Sequence, residues 1–254
     1  MTEVLKARRS RVPWVTALAF TVAAAVGGLF MFILQDQGRA RSLGLLGTKA
    51  SLAGRDADWP TYLAFLAQIT AVGGMLVFGL VSVWLFGREF SQHTAKDLLA
   101  LPTARTTIVL AKFVVAGLCC LALTVQLVAL GLAIGAVLGL SGWSAQTAIS
   151  GLATVAATAT MTVLLTTPVA LAASAGRGHL PGVGVLMAAI FCAQVIAALG
   201  HGQYFPWSVP ALFSGLAGPD QEPPGLVGVI LVVLVGAAGM VVTALWWRNA
   251  DQDR

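Results

Sequence analysis

The sequence predicts an all-α membrane protein with six transmembrane helices. Of the 254 residues, 58% are hydrophobic and 10% are charged, whereas soluble domains average about 25% charged residues. The apolar residues form six runs, several of them longer than the ~18 residues that indicate a membrane span. The predicted spans cover about 14–34, 61–86, 106–140, 147–173, 181–200 and 225–247. We expect them to form a single transmembrane domain over residues 1–254, without a folded soluble domain.

The first span follows a basic N-terminus, with four Lys and Arg residues among the first 11 positions. A basic start before an apolar run is also typical of a signal peptide. The run from Trp14 to Leu34 has 21 residues, however, and its Ala-rich middle lies too deep for a convincing cleavage site. We therefore expect an uncleaved first span with Trp14 at the interface, followed by a polar loop over Gln35–Pro60.

Two features stand out in the second half of the chain. Pro168 lies near the end of the fourth span and is expected to kink it, because proline lacks an N–H and clashes with the preceding turn. The loop 201–224 contains YFPWSVPALFSG, which is too apolar for a solvated loop and too interrupted for a span. One interpretation of this segment is an aromatic belt at the outer interface.

The distribution of Lys and Arg predicts the orientation of the chain. With the N-terminus inside, the inner segments hold eleven Lys and Arg residues and the outer loops hold four. Positively charged residues accumulate on the cytoplasmic side of membrane proteins. We expect a multi-pass protein of the cell (plasma) membrane with both termini in the cytoplasm.

The residues that carry chemistry are sparse. The chain has no phosphate-binding G-x-x-x-x-G-K-[ST] motif, and its histidines and cysteines lack metal-ligand spacing. No acidic residue lies in the middle of a predicted span, where a proton-coupled transporter usually carries an ionisable relay. The basic residues cluster at the ends of apolar runs, which does not indicate nucleic-acid binding. If this protein moves a substrate uphill, the energy must come from outside the chain.

Polar side chains within the spans are candidates for either a transport path or helix packing. An unpaired amide in hydrocarbon costs several kcal/mol, so three glutamines and a stripe of threonines on the fourth span need partners. Interhelical hydrogen bonds and contacts with a polar substrate both explain them. The candidates are Gln68, Gln126, Gln194, Thr154, Thr158 and Thr162. A glycine ridge at 131, 135 and 139 on the third span permits close approach of another helix.

The stretch Gly87–Lys112 is a polar island between the second and third spans. At about 100° per residue, Phe90 and the apolar residues after it fall on one face of a helix, and polar residues fall on the other. Pro102 is expected to end that helix. The pattern predicts a short amphipathic helix over Ser91–Leu101 just outside the bilayer. It could lie on the lipid headgroups or receive a push from a soluble partner.

This stretch resembles the cytoplasmic loop between the second and third spans of ABC-2 type permeases, the membrane subunits of one class of ABC transporter. That family shows an acidic residue after the second span, a threonine, leucines, a proline–arginine segment and a lysine that opens the third span. The matching positions are Arg88-Glu89, Thr94, Leu98-Leu99, Leu101-Pro102, Arg105 and Lys112. More loosely, the resemblance covers nearly the whole chain, including the Tyr-Phe-Pro-Trp element before the last span.

The resemblance implies the permease subunit of an ATP-driven exporter. Two such subunits, identical or not, would form the path, and separate ABC ATPase subunits would bind ATP and Mg²⁺. Residues implied to couple to the ATPase are Glu89, Phe90, Thr94, Leu98, Leu99, Pro102 and Arg105. Among these, Glu89 and Arg105 would make polar contacts that seat the loop, and Phe90 and Leu98 would dock it. The family also implies a re-entrant element on the outer side, carried here by Tyr204, Phe205, Pro206, Trp207 and Pro210.

Two other function classes remain open from the sequence. The chain could be a secondary transporter or channel without an ATPase, or a membrane anchor or assembly protein that recruits a soluble partner through the same loop. The sequence leaves the substrate open, as well as the choice between a homodimer and a heterodimer. Membrane lipids are expected partners of any such chain.

Overall fold

The computed structural model describes residues 10–36, 38, 56–92, 104–216 and 224–249. Nearly all of these residues are helical, and no strand occurs among them beyond an isolated bridge between Asp58 and Ser141. Six of the described helical segments are long and apolar enough to cross a membrane. The predicted fold class, an all-α polytopic membrane protein, is therefore confirmed.

The helices follow the order of the predicted spans, and the fourth span consists of two helices. We number them α1 to α8 along the chain, with two 3₁₀ turns at Gly202–Tyr204 and Pro206–Ser208 between α6 and α7. Their bounds are α1 Val12–Gln35, α2 Trp59–Ser91, α3 Arg105–Leu138, α4 Ala145–Leu165, α5 Thr167–Ala175, α6 His179–Ala198, α7 Val209–Phe213 and α8 Leu226–Asn249.

Helix α2 lies at the centre of the bundle. It contacts α1, α3, α4, α5 and α6, and its contact with α4 is the most extensive helix pair in the described part of the chain. Twenty of its 33 residues are buried, whereas large apolar side chains on α1, α3, α6 and α8 are exposed. In a bilayer those exposed side chains face lipid or other membrane segments, so among the six described spans α2 most resembles the core helix of a soluble protein.

The start of α2 and the end of α3 are joined by backbone and aromatic contacts. Asp58 accepts a hydrogen bond from the Thr61 N–H at 2.9 Å and caps α2, and the Trp59 N–H donates to the Ser141 carbonyl at 2.9 Å. The Trp59 ring lies directly against Gly135, where a Cβ would meet ring carbons. Gly131 accommodates Leu66 of α2 in the same way. Two glycines of the ridge thus form a helix-packing seam within this chain.

Several element boundaries differ from the predicted spans. Helix α2 runs through Gly87–Ser91, which the sequence places in the polar loop, because this segment packs on the turn after α5: a Cβ on Gly87 would meet the backbone of Gly178 at 3.0 Å. Helix α3 ends at Leu138, before the predicted bound, since Gly139 adopts the left-handed conformation (φ 64°) that terminates helices. Most of the predicted coupling helix, residues 93–101, lies outside the described residues.

Candidate coupling site and transport path

Four helix ends meet at one end of the bundle, which we call the inner end because the charge distribution predicts it to be cytoplasmic. Helices α2, α5 and α8 finish there, and α3 begins there. The apolar part of this junction is a cluster of buried side chains from α2, α3, α5 and α8 that includes Phe86, Val109, Ala173 and Trp247. The segment between α2 and α3, which the sequence singles out for coupling, emerges from this junction.

A buried ionic cluster joins α2 to α3 at the inner end. Glu89 Oε1 lies 3.2 Å from Lys112 Nζ and 3.2 Å from Arg88 Nε. Lys112 also donates to the Leu85 carbonyl at 2.8 Å. Lys112 is 0% exposed and Glu89 is 3% exposed, so neither charge is compensated by bulk water. Burial of such groups is tolerated only when charges are paired and hydrogen-bonded, which fixes the last turn of α2 against α3.

Arg88 contributes to the same cluster from the other side. Its guanidinium lies 4.7 Å from the centroid of the Trp84 ring, within the range of a cation–π contact. Because Arg88 is buried and stacked as well as paired with Glu89, it is held in a single orientation. The sequence interpretation gave Arg88 no separate role.

Aromatic rings link α2 to the last helix. The Phe90 ring centroid lies 5.8 Å from that of Trp246 and 5.5 Å from that of Trp247. The fully buried Trp247 donates its indole N–H to the Ser174 hydroxyl at 3.0 Å. Phe90, assigned by the sequence to docking of the coupling segment, thus packs on α8 of its own chain. Trp247 extends the connection to the end of α5.

Arg105 lies on the surface of this junction. Its Nη1 donates to the Arg248 carbonyl at 3.3 Å, in the last turn of α8. A guanidinium at this position hydrogen-bonds a carbonyl that the helix leaves without an intrahelical partner, and it interacts favourably with the helix dipole. Arg105 therefore connects the start of α3 with the end of α8. The other predicted coupling residues, Thr94, Leu98, Leu99 and Pro102, lie outside the described residues.

The threonine stripe of the fourth span turns inward. Thr158 and Thr162 are fully buried, and Thr162 donates to the Thr158 carbonyl at 2.7 Å. Thr154 is half-buried and donates to the Ser150 carbonyl at 2.9 Å. The buried Thr158 hydroxyl has no hydrogen-bond partner. The buried part of the stripe therefore lies in the packed interior.

The three glutamines have different surroundings. Gln126 of α3 donates to the Ala17 carbonyl and the Thr21 hydroxyl of α1, at 3.0 and 2.8 Å. The buried Gln68 donates to the Ser214 carbonyl at 3.4 Å, a long contact. Gln194 is exposed and lines a cavity of about 210 Å³ between α2, α6 and the segment after α6. The structure thus brings Gln126 into a helix–helix contact and Gln194 into a cavity wall.

The segment 201–216, which we call the outer element, packs between α4, α6 and α8 as two 3₁₀ turns and the short helix α7. Pro206 and Pro210 are buried, Tyr204 is exposed, and the rings of Phe205 and Trp207 lie 5.4 Å apart. Trp207 Nε1 donates to the Leu165 carbonyl of α4 at 3.3 Å. The outer element therefore reaches the position where the fourth span is interrupted.

Sequence reasoning missed the residues that complete the inner end: Trp246, Trp247 and Ser174. The paired tryptophans at the end of the last span are a visible signal, but aromatic residues at a span end usually indicate a membrane interface. Ser174 has no distinctive sequence context. Their role depends on contacts between segments more than 70 positions apart, which helical periodicity does not encode.

Comparison with known proteins identifies the family. The sequence profile of a family described as "ABC-2 family transporter protein" matches residues 1–194. The chain belongs to the ABC-2 transporter family. Among curated proteins, it is similar to the bacitracin transport permease protein BCRB of Bacillus licheniformis, with 23% identity over 179 residues, which is 70% of this chain and 85% of that protein.

Membership of the ABC-2 family establishes the general role of the chain. It is a permease component of a transporter, a multi-pass membrane protein and a transport subunit of non-enzymatic type. The ABC-2 family implies association with ABC ATPase components. The predicted resemblance to ABC-2 permeases is confirmed by this match.

Proposed function

We propose that this chain is the permease half of an ATP-driven exporter. Two such chains would form the transport path, and separate ABC ATPase subunits would bind ATP and Mg²⁺ and supply the energy. Both termini and the segment between α2 and α3 would lie in the cytoplasm, where the ATPases are. A label at Gln92, the exposed residue that follows α2, should then react only from the cytoplasmic side. A reaction from the outer side alone would contradict this orientation.

The observation that supports this proposal is the set of contacts that holds α2, α3 and α8 together at the inner end. The Glu89–Lys112 pair fixes α2 to α3, and Phe90 contacts both tryptophans at the end of α8. A force applied to the segment between α2 and α3 therefore reaches three spans together. Packed helices respond to such a force by shifting as rigid bodies rather than by bending continuously.

The wall of the transport path in each chain would include the cavity under the outer element. Its lining is mainly apolar, with Met75 from α2, Ile190 from α6 and Trp207 from the outer element. Gln194 provides an amide at this wall. Such a lining suits an apolar or amphipathic compound that offers one hydrogen-bonding group. The similar permease of Bacillus licheniformis is named for bacitracin transport, and an amphipathic peptide antibiotic is accordingly the first substrate to test.

The test is reconstitution of this chain with an ABC ATPase that co-purifies with it, in vesicles that report substrate movement and ATP hydrolysis. We expect ATP-dependent transport that Arg105→Ala lowers at least tenfold, because the start of α3 loses its bond to the end of α8. Arg11→Ala is the matched control, since Arg11 is an exposed arginine beside α1, and it should transport at the wild-type rate.

The other outcomes separate the rival functions. Substrate movement without ATP or the ATPase would indicate a secondary transporter or a channel. Stable binding of a soluble protein with no movement of any tested substrate would indicate a membrane anchor. Equal transport by the Arg105→Ala and Arg11→Ala variants would remove Arg105 from the coupling site while leaving the exporter proposal in place.

A further inference from the structure

The fourth span is interrupted inside the bundle. Helix α4 ends at Leu165, and α5 begins at Thr167 after one intervening residue. Pro168 has no N–H, so the Leu164 carbonyl loses the donor that a regular helix would place there. The interruption is deeply packed: Leu165, Thr166 and Thr167 are all buried. A buried carbonyl that accepts no hydrogen bond is energetically costly in this environment. The carbonyls at the break therefore need other hydrogen-bond donors.

Side chains supply those donors at three consecutive carbonyls. Thr166 Oγ1 donates to the Val163 carbonyl at 2.8 Å, and Thr167 Oγ1 donates to the Leu164 carbonyl at 2.9 Å. The third donor comes from another segment, since Trp207 Nε1 donates to the Leu165 carbonyl at 3.3 Å. In a regular α-helix these carbonyls would accept from residues 167, 168 and 169. The Val163 carbonyl also accepts the Thr166 N–H at 3.1 Å, so hydroxyl and indole groups supplement the backbone at the break.

The two sides of the break are attached to different parts of the molecule. On the outer side, Trp207 ties the end of α4 to the outer element. On the inner side, α5 is attached through Ser174 to Trp247 and so to the inner end. Helix α5 has nine residues and lies between these two attachments. The apolar cluster of the inner end contains residues of α5 but none of α4, so a displacement of the inner end acts directly on α5.

The Thr167 hydroxyl offers two arrangements at the break. Its oxygen lies 2.9 Å from the Leu164 carbonyl in its own span and 2.7 Å from the Gly236 carbonyl in α8. A hydroxyl has a single proton to donate, so the two carbonyls compete for it. Helix α8 approaches closely here because it carries Gly239, where a Cβ would meet Thr167 Oγ1 and the backbone of Pro168.

We propose that Thr166–Pro168 is a hinge in the fourth span, with Thr167 and Trp207 as its positioning residues. The hinge lets α5 move with the inner end while α4 stays with the outer element, and the proton of Thr167 selects between two hydrogen-bonding arrangements. The two hydrogen-bonding arrangements of Thr167 depend on this chain alone. The force that drives the hinge rests on the proposed function, in which the ATPase acts on the inner end.

The first test measures the hinge in the full chain alone, in lipid nanodiscs. Spin labels replace Trp14 at the inner end of α1 and Ala175 at the end of α5, both exposed, after the three native cysteines are changed to alanine. We expect two populations of the 14–175 distance. A second pair on the same two spans, Leu29 and Ala153, lies on the outer side of the break and should give one narrow population.

Pro168→Ala restores the missing N–H, and it should reduce the 14–175 distance to one population. Pro60→Ala is the matched control, because Pro60 lies in the first turn of α2, where the N–H has no intrahelical acceptor. It should leave both populations in place. A single narrow 14–175 distance in the wild-type chain, or two populations that persist in Pro168→Ala, would overturn the hinge.

A second pair of variants tests the hydroxyl and covers a failure of Pro168→Ala to fold. Thr167→Val removes the proton and Thr167→Ser keeps it. We expect the Thr167→Val variant to give one population of the 14–175 distance and the Thr167→Ser variant to keep two. In the reconstituted complex, Thr167→Val should lower the amount of substrate moved per ATP hydrolysed at least tenfold, and Thr167→Ser should keep the wild-type value. Identical behaviour of Val and Ser would overturn the positioning role of Thr167.

The two proposals fail in distinguishable ways. A wild-type complex that moves no substrate on ATP hydrolysis would contradict the proposed function, while the label distances on the chain alone would still decide the hinge. A wild-type complex that transports, together with a Pro168→Ala variant that transports equally well per ATP, would overturn the hinge and leave the proposed function standing.

Discussion

The inner end and the break in the fourth span both join helices inside the bundle, but they use different chemistry. The inner end uses buried charges and large rings: Glu89, Lys112 and the Phe90 contact with α8. The break uses neutral hydroxyls and glycines: Thr166, Thr167 and the close approach of Gly239. At the inner end each group has a fixed partner. At the break the Thr167 hydroxyl is one donor within reach of two carbonyl acceptors.

This difference indicates where the molecule is rigid and where it can change. Separating a buried ion pair leaves an uncompensated charge and is strongly unfavourable. Moving a hydroxyl proton from one carbonyl to another exchanges two hydrogen bonds of similar strength. A permease that transmits a movement needs both kinds of contact. A force that acts on a flexible inner end would deform that end and would not move the helices attached to it.

The largest effect on stability is expected from Glu89→Ala. The substitution leaves the fully buried Lys112 without its carboxylate partner, and removing one member of a buried pair costs about 3–5 kcal/mol. We expect a corresponding loss in the free energy of unfolding, measured by reversible unfolding in detergent. Adding Lys112→Met to the same chain should recover part of the loss, because the buried ammonium is then gone while the buried Arg88 still lacks the Glu89 carboxylate. A double variant as unstable as the single one would contradict a tight Glu89–Lys112 pair.

A smaller effect is expected at the break from Gly239→Ala. The new methyl group would meet Thr167 Oγ1 and the backbone of Pro168, and overpacking of this kind costs about 1–3 kcal/mol. Gly117→Ala is the matched control on another span, since nothing lies within 4 Å of a Cβ there. We expect that control to be neutral or to stabilise α3 by up to about 1 kcal/mol, because alanine favours helices. Equal unfolding free energies for the two variants would contradict close packing of α8 on the break.

Much of this architecture follows from the sequence because it depends on local properties. Hydrophobic run length places the six spans, and the missing N–H of Pro168 places the interruption in the fourth. The family motif marks Glu89, Arg105 and Lys112 before any contact is visible. These features require only the chemistry of one residue or the periodicity of one segment.

The remaining features could not be predicted because they depend on segments that are distant in sequence. Lys112 carries a charge at a span end, which suggests a solvated interface, yet its side chain is fully buried against α2. Trp207 belongs to a segment that reads as an aromatic belt, yet its indole N–H completes a broken helix 42 positions earlier. The sequence shows the need for a donor at the break but not which residue supplies it.

The smallest of the three stability effects is expected at the contact between α8 and α5. Trp247→Phe keeps a ring against Phe90 but removes the indole N–H that binds Ser174. A buried hydrogen bond contributes about 0.5–1.5 kcal/mol, and Ser174→Ala should lose a similar amount. If the bond carries the effect, the double variant should cost no more than either single one, which gives a coupling free energy of about 1 kcal/mol in a double-mutant cycle. Trp246→Phe controls for ring size, since the Trp246 ring contacts the same Phe90 ring. If the losses in unfolding free energy of Trp247→Phe and Ser174→Ala are strictly additive, the hydrogen bond between α8 and α5 does not contribute to stability.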